Sequence, residues 1–243
     1  MQDTPSLDSV TIYGCLNDEE RAAIAEQCRW QKFQAGQEII AHNEPSLEVY
    51  FLVEGKARVI IYSYSGKPVI FRDVRPGEVF GEFAAIDAGP RSATVEATTD
   101  CVTAALRPDV FWETLLSHPK VARSAMEWLT GQVRALTGRV LEFSTLAVRN
   151  RLHAELLRLA RDDMRDDGTA VIYPVPTHAE LASRISTHRE AVTREMSRLT
   201  RSGLIERKGD RLLICDLMEL GELVEEVLGE SLLPLEPRDG NSL

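Results

Sequence analysis

Arg189, Glu190 and Arg194 are the side chains best suited to reading a base pair. Arginine donates two hydrogen bonds to guanine O6 and N7, and a carboxylate accepts from the cytosine amino group. Their spacing places all three on the first turns of one helix, provided the segment is helical. The pattern predicts that it is. Val192, Met196 and Leu199 recur at intervals of four and three as a buried stripe, with Arg189, Glu190, Thr193, Arg194, Ser197 and Arg201 opposite. Gly203 ends the helix. Upstream, Pro174 and Pro176 disfavour helix before Thr177, and Thr177 with Glu180 fits a capping box. Leu181 and Ile185 give a shorter helix its apolar stripe, and Ser186-Thr187-His188 interrupts the pattern as a turn. A small hairpin follows, with Leu204-Ile205 and Leu212-Leu213-Ile214 either side of Lys208-Gly209-Asp210. Two other readings stay open on these residues alone. The charges could be a solvated face of an ordinary helical hairpin. Thr187 and Glu190 could form a second capping box, turning Glu190 toward the backbone.

A second constellation runs from Phe80 to Val95, as FGEFAAIDAGPRSATV. A glycine turn leads into a helix too short to be a core element, then an arginine stands beside a serine. Backbone amides at a helix start favour an anion. Arg91 offers a fixed fork of donors to a phosphate, and Ser92 adds a hydroxyl. Glu82 can accept from a ribose hydroxyl. A structural Glu82–Arg91 ion pair is the competing reading. The scaffold around them is a set of short strands: Val49–Val53, Ala57–Tyr62 and Val69–Phe71 alternate with turns at Gly36, Gly55, Gly66, Gly77 and Gly81. Even spacing of this kind predicts an antiparallel sandwich or jelly roll from about Lys32 to Leu106.

Between the two constellations, Lys120 to Phe143 reads as one long helix. Ala125, Leu129, Val133, Leu136, Val140 and Phe143 form a near-heptad seam able to pair with its own copy. Met126 and Trp128 are expected to pack on the barrel from the other face. A second helix is expected from about Leu146 to Arg161, and an acidic amphipathic one from Asp216 to Leu233, packed on the C-terminal domain.

A chain of 243 residues with 44% apolar content can bury two modest cores. No apolar run approaches the ~20 residues that span a bilayer, so no membrane association is expected. The first ten residues show no secretory signal, and the scattered Cys15, Cys28, Cys101 and Cys215 fit free thiols in a reducing cytoplasm. The net charge of −10 is unevenly spread. Thr177–Arg211 carries eight Lys/Arg against five Asp/Glu, whereas Asp216–Leu243 carries eight acids against Arg238. Basic character is therefore local to the proposed reading module, and screening makes the local charge the relevant one. The histidines, His42, His118, His153, His178 and His188, are dispersed, with no H-x-H or H-E-x-x-H, so neither a bound metal nor an enzyme is expected.

The stretch from Thr177 to Ile205 resembles the recognition motif of the CRP/FNR family of bacterial transcription regulators, in particular its catabolite activator protein branch. R-E-x-x-x-R in that branch reads the GTGA core of a palindrome. The resemblance implies DNA contacts by Arg189, Glu190 and Arg194, phosphate contacts by Thr177 and His178, and a place for His188 in the interface. Ser186 departs from the glycine frequent in the family's turn. The Gly81–Val95 segment resembles the phosphate-binding cassette of cyclic-nucleotide-binding domains. That implies a nucleotide site of Gly81, Glu82, Phe83, Ala84, Arg91, Ser92 and Ala93, with Leu136 and Thr137 meeting the base. Leu136 stands where the best-known cAMP receptor has a second hydroxyl, so adenine or guanine stays open.

The expected fold is α+β, an N-terminal antiparallel jelly roll (1–118), a dimerisation helix (119–145), a winged helix-turn-helix (146–215) and an acidic tail (216–243). The implied effector is cAMP first and cGMP second. The implied partners are double-stranded DNA, a second copy of the chain and RNA polymerase. A redox- or gas-sensing, or ligand-independent, regulator of the same superfamily is the alternative; an iron–sulfur cluster would need cysteines grouped as these are not.

Overall fold

Runs of β-branched and aromatic residues between turns become strands here because each strand can bury apolar side chains on one or both faces. In the computed structural model, which describes residues 6–64 and 66–228, the chain divides into two units, Met1–Arg134 and Ala135–Leu243. The first α-helix of the first unit is α1 (Asp18–Ala25). Asn17 and Glu20 cap it reciprocally, each side chain accepting the other's backbone N–H at 2.8 and 2.9 Å. Eight strands follow among the described residues: β1 (Arg29–Phe33), β2 (Glu38–Ile40), β3 (Val49–Glu54), β4 (Ala57–Tyr62), β5 (Pro68–Val74), β6 (Val79–Phe80), β7 (Thr94–Ala97) and β8 (Cys101–Leu106). They form two four-stranded antiparallel sheets, β1-β8-β3-β6 and β2-β7-β4-β5. The α+β architecture and jelly roll expected from the strand spacing are present.

The alternation along β3 builds both layers of the core. Val49 and Phe51 join a cluster with Leu7, Tyr13, Leu106 and Phe111, whereas Tyr50 and Leu52 join Ile40, Val74, Val95 and Ala105 between the sheets. A residue buried on either face explains why β3 reads as a continuous apolar run. Between β6 and β7 lies the short helix α2 (Glu82–Asp87), and after β8 come α3 (Pro108–Ser117) and α4 (Pro119–Thr145). Trp128 packs on the first core cluster as expected. Met126 does not; it is 61% exposed, because its position on α4 turns it away from that cluster.

The second unit adds α5 (Val148–Ala160), β9 (Ala170–Ile172), α6 (His178–Arg184), α7 (Arg189–Arg201), β10 (Ile205–Lys208), β11 (Arg211–Ile214) and α8 (Leu217–Leu228). Leu152, Leu156, Leu181, Ile185, Val192, Met196 and Leu199 share one core. The expected hairpin exists, but β9 pairs with β11 to make a three-stranded sheet that local pattern did not reveal. The acidic helix packs on this unit through Leu217, Leu220 and Val224. The part of that helix expected beyond Leu228 lies outside the described residues.

Candidate ligand cleft and nucleic-acid interface

The cleft begins where β6 runs into α2. Gly81 turns the chain with φ +76°, a region that costs an L side chain energy. A Cβ there would stand 2.8 Å from Arg91 Nη1 and 2.9 Å from Ile40 Cδ1. Glycine is thus required both by conformation and by the close approach of the arginine. Arg91 is buried at the base of the turn. Its Nη1 donates to the Gly81 carbonyl (2.6 Å), Nη2 to the Glu48 carbonyl (2.9 Å) and Nε to Ser46 Oγ (3.0 Å). The guanidinium also lies 5.8 Å from the Tyr50 ring, which in turn stacks on Phe80. Burial pushes Arg91 below the ordinary guanidinium range, against the pull of Tyr50, Glu44, Glu48 and Glu82. Glu82 is buried too, and burial raises its carboxyl, opposed by its own backbone amide, Arg72 and Arg91.

Gly81, Glu82 and Arg91 line a cleft of about 480 Å³, counting its open mouth. Gly81, Glu82, Phe83, Ala84, Arg91, Ser92 and Ala93 all contribute, so the structure gathers every first-unit residue of the expected nucleotide site. The walls add Ile40, Val59, Phe80 and Val95. Ser92 is exposed, and Phe83 is 47% exposed at the mouth. Glu82 and Arg91 are not joined by a direct ion pair; Arg91 donates instead to Gly81, Glu48 and Ser46. Leu136 and Thr137 stand on exposed positions of α4 within the second unit. Arg72 also lines the cleft, and the sequence reading missed it. A charged residue inside a strand, here in FRDV of β5, was the available signal.

In the second unit, Thr177 caps α6 by accepting the Glu180 N–H at 3.1 Å. The Glu180 carboxylate meets Arg184 at 3.2 Å. Ser186 takes up the turn with φ +50°, a left-handed conformation held without glycine. Helix α7 starts at Arg189 with His188 as its N-cap, and the His188 side chain makes no capping bond. Glu190 therefore occupies the second helical position, and the alternative box fails because the N-cap is His188 and not Thr187. Arg189, Glu190, Thr193, Arg194, Ser197 and Arg201 are all exposed, as the periodicity predicts. Arg189, Glu190 and Arg194 form no ion pair with any described residue. His178 Nδ1 lies 2.8 Å from Thr193 Oγ1, which itself donates to the Arg189 carbonyl at 3.0 Å. The hydroxyl has one proton, so the ring is the donor in the first contact. Burial, with the charges of Arg189 and Arg207, lowers the His178 pKa and favours the neutral ring.

Behind the reading face is a charge cluster that spacing did not suggest. Glu155 of α5 is buried and meets Arg184 of α6 at 3.3 Å, Arg139 of α4 at 3.3 Å, and Arg158. Arg139 also donates to the Arg184 carbonyl at 2.5 Å, and Arg158 pairs with Glu142 at 2.5 Å. Among the described residues no helix is long and apolar enough to cross a membrane, and no three His, Cys, Asp or Glu side chains gather as a metal site requires.

The chain matches the family model of the cyclic nucleotide-binding domain over residues 30–118 and that of the Crp-like helix-turn-helix domain over residues 150–223. It is 23% identical to a CRP-like cAMP-activated global transcriptional regulator of Mycobacterium tuberculosis, across 80% of this chain and 88% of that protein. It is 29% identical to the transcriptional regulator LdrP of Thermus thermophilus, across 78% and 94% respectively. The crystal structure of TTHB099, a CRP-family transcriptional regulator of Thermus thermophilus, superposes with a TM-score of 0.67 at 29% identity, over 82% of this chain and 98% of that one. A cyclic nucleotide-binding domain followed by a Crp-like helix-turn-helix, in the order shared with these regulators, makes this chain a member of the CRP/FNR family of transcription regulators.

Proposed function

We propose that a cyclic purine nucleotide, cAMP or cGMP, binds the cleft and switches the affinity of a homodimer for a palindromic operator. Buried Arg91, pinned at the turn into α2, is the observation that carries this reading. A guanidinium kept at a cleft wall against the cost of burial is suited to an anion that displaces its internal acceptors. Ser92 and the α2 amides supplement it at the phosphate, with Ala93, Ala84 and Phe83 around the sugar-phosphate and Glu82 at the ribose. Leu136 and Thr137 of α4 meet the base. The exposed seam of α4 pairs with its copy, which spaces two α7 helices one DNA turn apart, about 34–36 Å. Arg189 and Arg194 read guanines and Glu190 a cytosine in a TGTGA–TCACA-like site, with Thr177, His178 and His188 at the backbone. The residue division 1–118, 119–145, 146–215 and 216–243 follows these roles. On this reading the protein works in the cytoplasm, with RNA polymerase as its downstream partner and no metal.

Calorimetry with cAMP and cGMP on the unaltered protein and on Arg91→Ala tests the cradle. Loss of a charge-assisted fork should weaken binding at least about tenfold, and an unchanged affinity rejects it. Operator binding by fluorescence anisotropy tests the output. A coupling of about 1–3 kcal/mol corresponds to roughly 5–150-fold in operator affinity, and a flat response to both nucleotides rejects the switch.

A further inference from the structure

Resting on the cyclic-nucleotide reading, we propose that Arg72 is a base-specificity residue of the cleft and that the effector is a guanine nucleotide. Arg72 sits on β5 opposite Val59 of β4, and both line the cleft. Its guanidinium is held in place from behind. Nη1 donates to Glu78 Oε2 at 2.7 Å, Nη2 donates to the Val79 carbonyl at 3.0 Å, and the Trp128 ring of α4 lies 5.5 Å from the guanidinium carbon. Among the described residues two of its five N–H groups find acceptors, which leaves three. With its side chain 24% exposed, Arg72 is open to an occupant of the cleft.

The charged residues of the cleft lining are Arg91, Glu82 and Arg72, and their chemistry assigns a partner to each. A phosphate takes Arg91 and a ribose hydroxyl takes Glu82. The remaining charged wall is Arg72, whose charge bears on Glu82 more strongly than that of Arg91. The moiety left to meet it is the base. Guanine presents two acceptors, O6 and N7, along one edge, which match a guanidinium fork. Adenine presents N7 beside an amino group, so an N–H would face an N–H. An arginine fixed by Glu78 and Val79 cannot rotate away from that clash without giving up both bonds. Packing alone does not explain Arg72, since an apolar residue would cover Trp128 without desolvating a charge.

Calorimetry on the full-length protein with cGMP, cyclic IMP and cAMP tests this. Cyclic IMP keeps O6 and N7 and differs from cAMP only at the six-position group and its neighbouring N1 proton. Both oxo-purines should bind about 5- to 100-fold more tightly than cAMP. Arg72→Lys, which keeps the charge but loses the fork, should bring the cGMP-to-cAMP ratio close to one. Equal or tighter binding of cAMP in the unaltered protein overturns the assignment while leaving the cleft reading intact. An equal loss for all three nucleotides in Arg72→Lys also overturns it, because the arginine would then serve a group common to them all. Failure of every nucleotide to bind sinks both readings together.

Discussion

Replacing Glu155 by glutamine should destabilise the second unit far more than an isosteric change at a surface would. The carboxylate is 1% exposed and is the shared counter-charge of Arg139, Arg158 and Arg184. Around it three arginines meet three carboxylates, the others being Glu142 and Glu180. The substitution keeps the volume and leaves one buried positive charge in excess. Burial already holds Arg139 below the ordinary guanidinium range, and Glu155 is the first counterweight. Breaking a buried pair by removing one partner costs about 3–5 kcal/mol. With a urea slope of roughly 2 kcal/mol/M, the unfolding midpoint of this unit should fall by about 2 M. Trp30, Trp112 and Trp128 all belong to the first unit, so their fluorescence reports the wrong region. Hydrogen exchange of peptides from α5 to α7 across a urea series reads the right one. A loss below about 1 kcal/mol, the worth of a surface pair, would refute the cooperative burial argued here.

Three further outcomes are expected. His153 is buried, and burial keeps its pKa below the ordinary value; Nε2 meets Glu195 at 2.6 Å while buried Nδ1 has no partner among the described residues for a second proton. The unfolded chain takes up that proton near pH 6.5 and the folded chain only at lower pH, so the second unit should lose stability as pH falls below about 6.5. Urea midpoints at pH 7.5 and 5.5 check this, and a slope that persists in His153→Gln would assign it elsewhere. Ser186→Gly should raise stability by about 0.5–1 kcal/mol by relieving the left-handed turn at φ +50°; an unchanged thermal midpoint would mean the strain is absent. Glu190→Ala should cost about 1–3 kcal/mol of discrimination at its base pair and little affinity for random DNA. Equal losses on operator and random competitor would remove Glu190 from base reading.

What could be read from the chain alone was whatever depends on near neighbours. The stripe of Val192, Met196 and Leu199 places the exposed face of α7 correctly, because helical periodicity is a property of residues three and four apart. The Gly81–Ser92 cassette is legible for the same reason, since its turn, short helix and arginine are contiguous. Strand ends are not set by local pattern: β5 reaches Val74, past the expected Phe71, and so carries Arg72 into the cleft wall. Tertiary structure decided the rest. Whether Glu82 and Arg91 pair directly depends on the Glu48 and Ser46 groups that capture the guanidinium from 43 and 45 residues away. The third strand of the wing sheet comes from β9, far upstream of its partner β11. The Glu155 cluster draws on three helices whose charged residues look like ordinary surface positions when read one at a time. Local patterns record backbone preference and the side that faces inward, while a buried charge is set by neighbours that only the folded chain brings within reach.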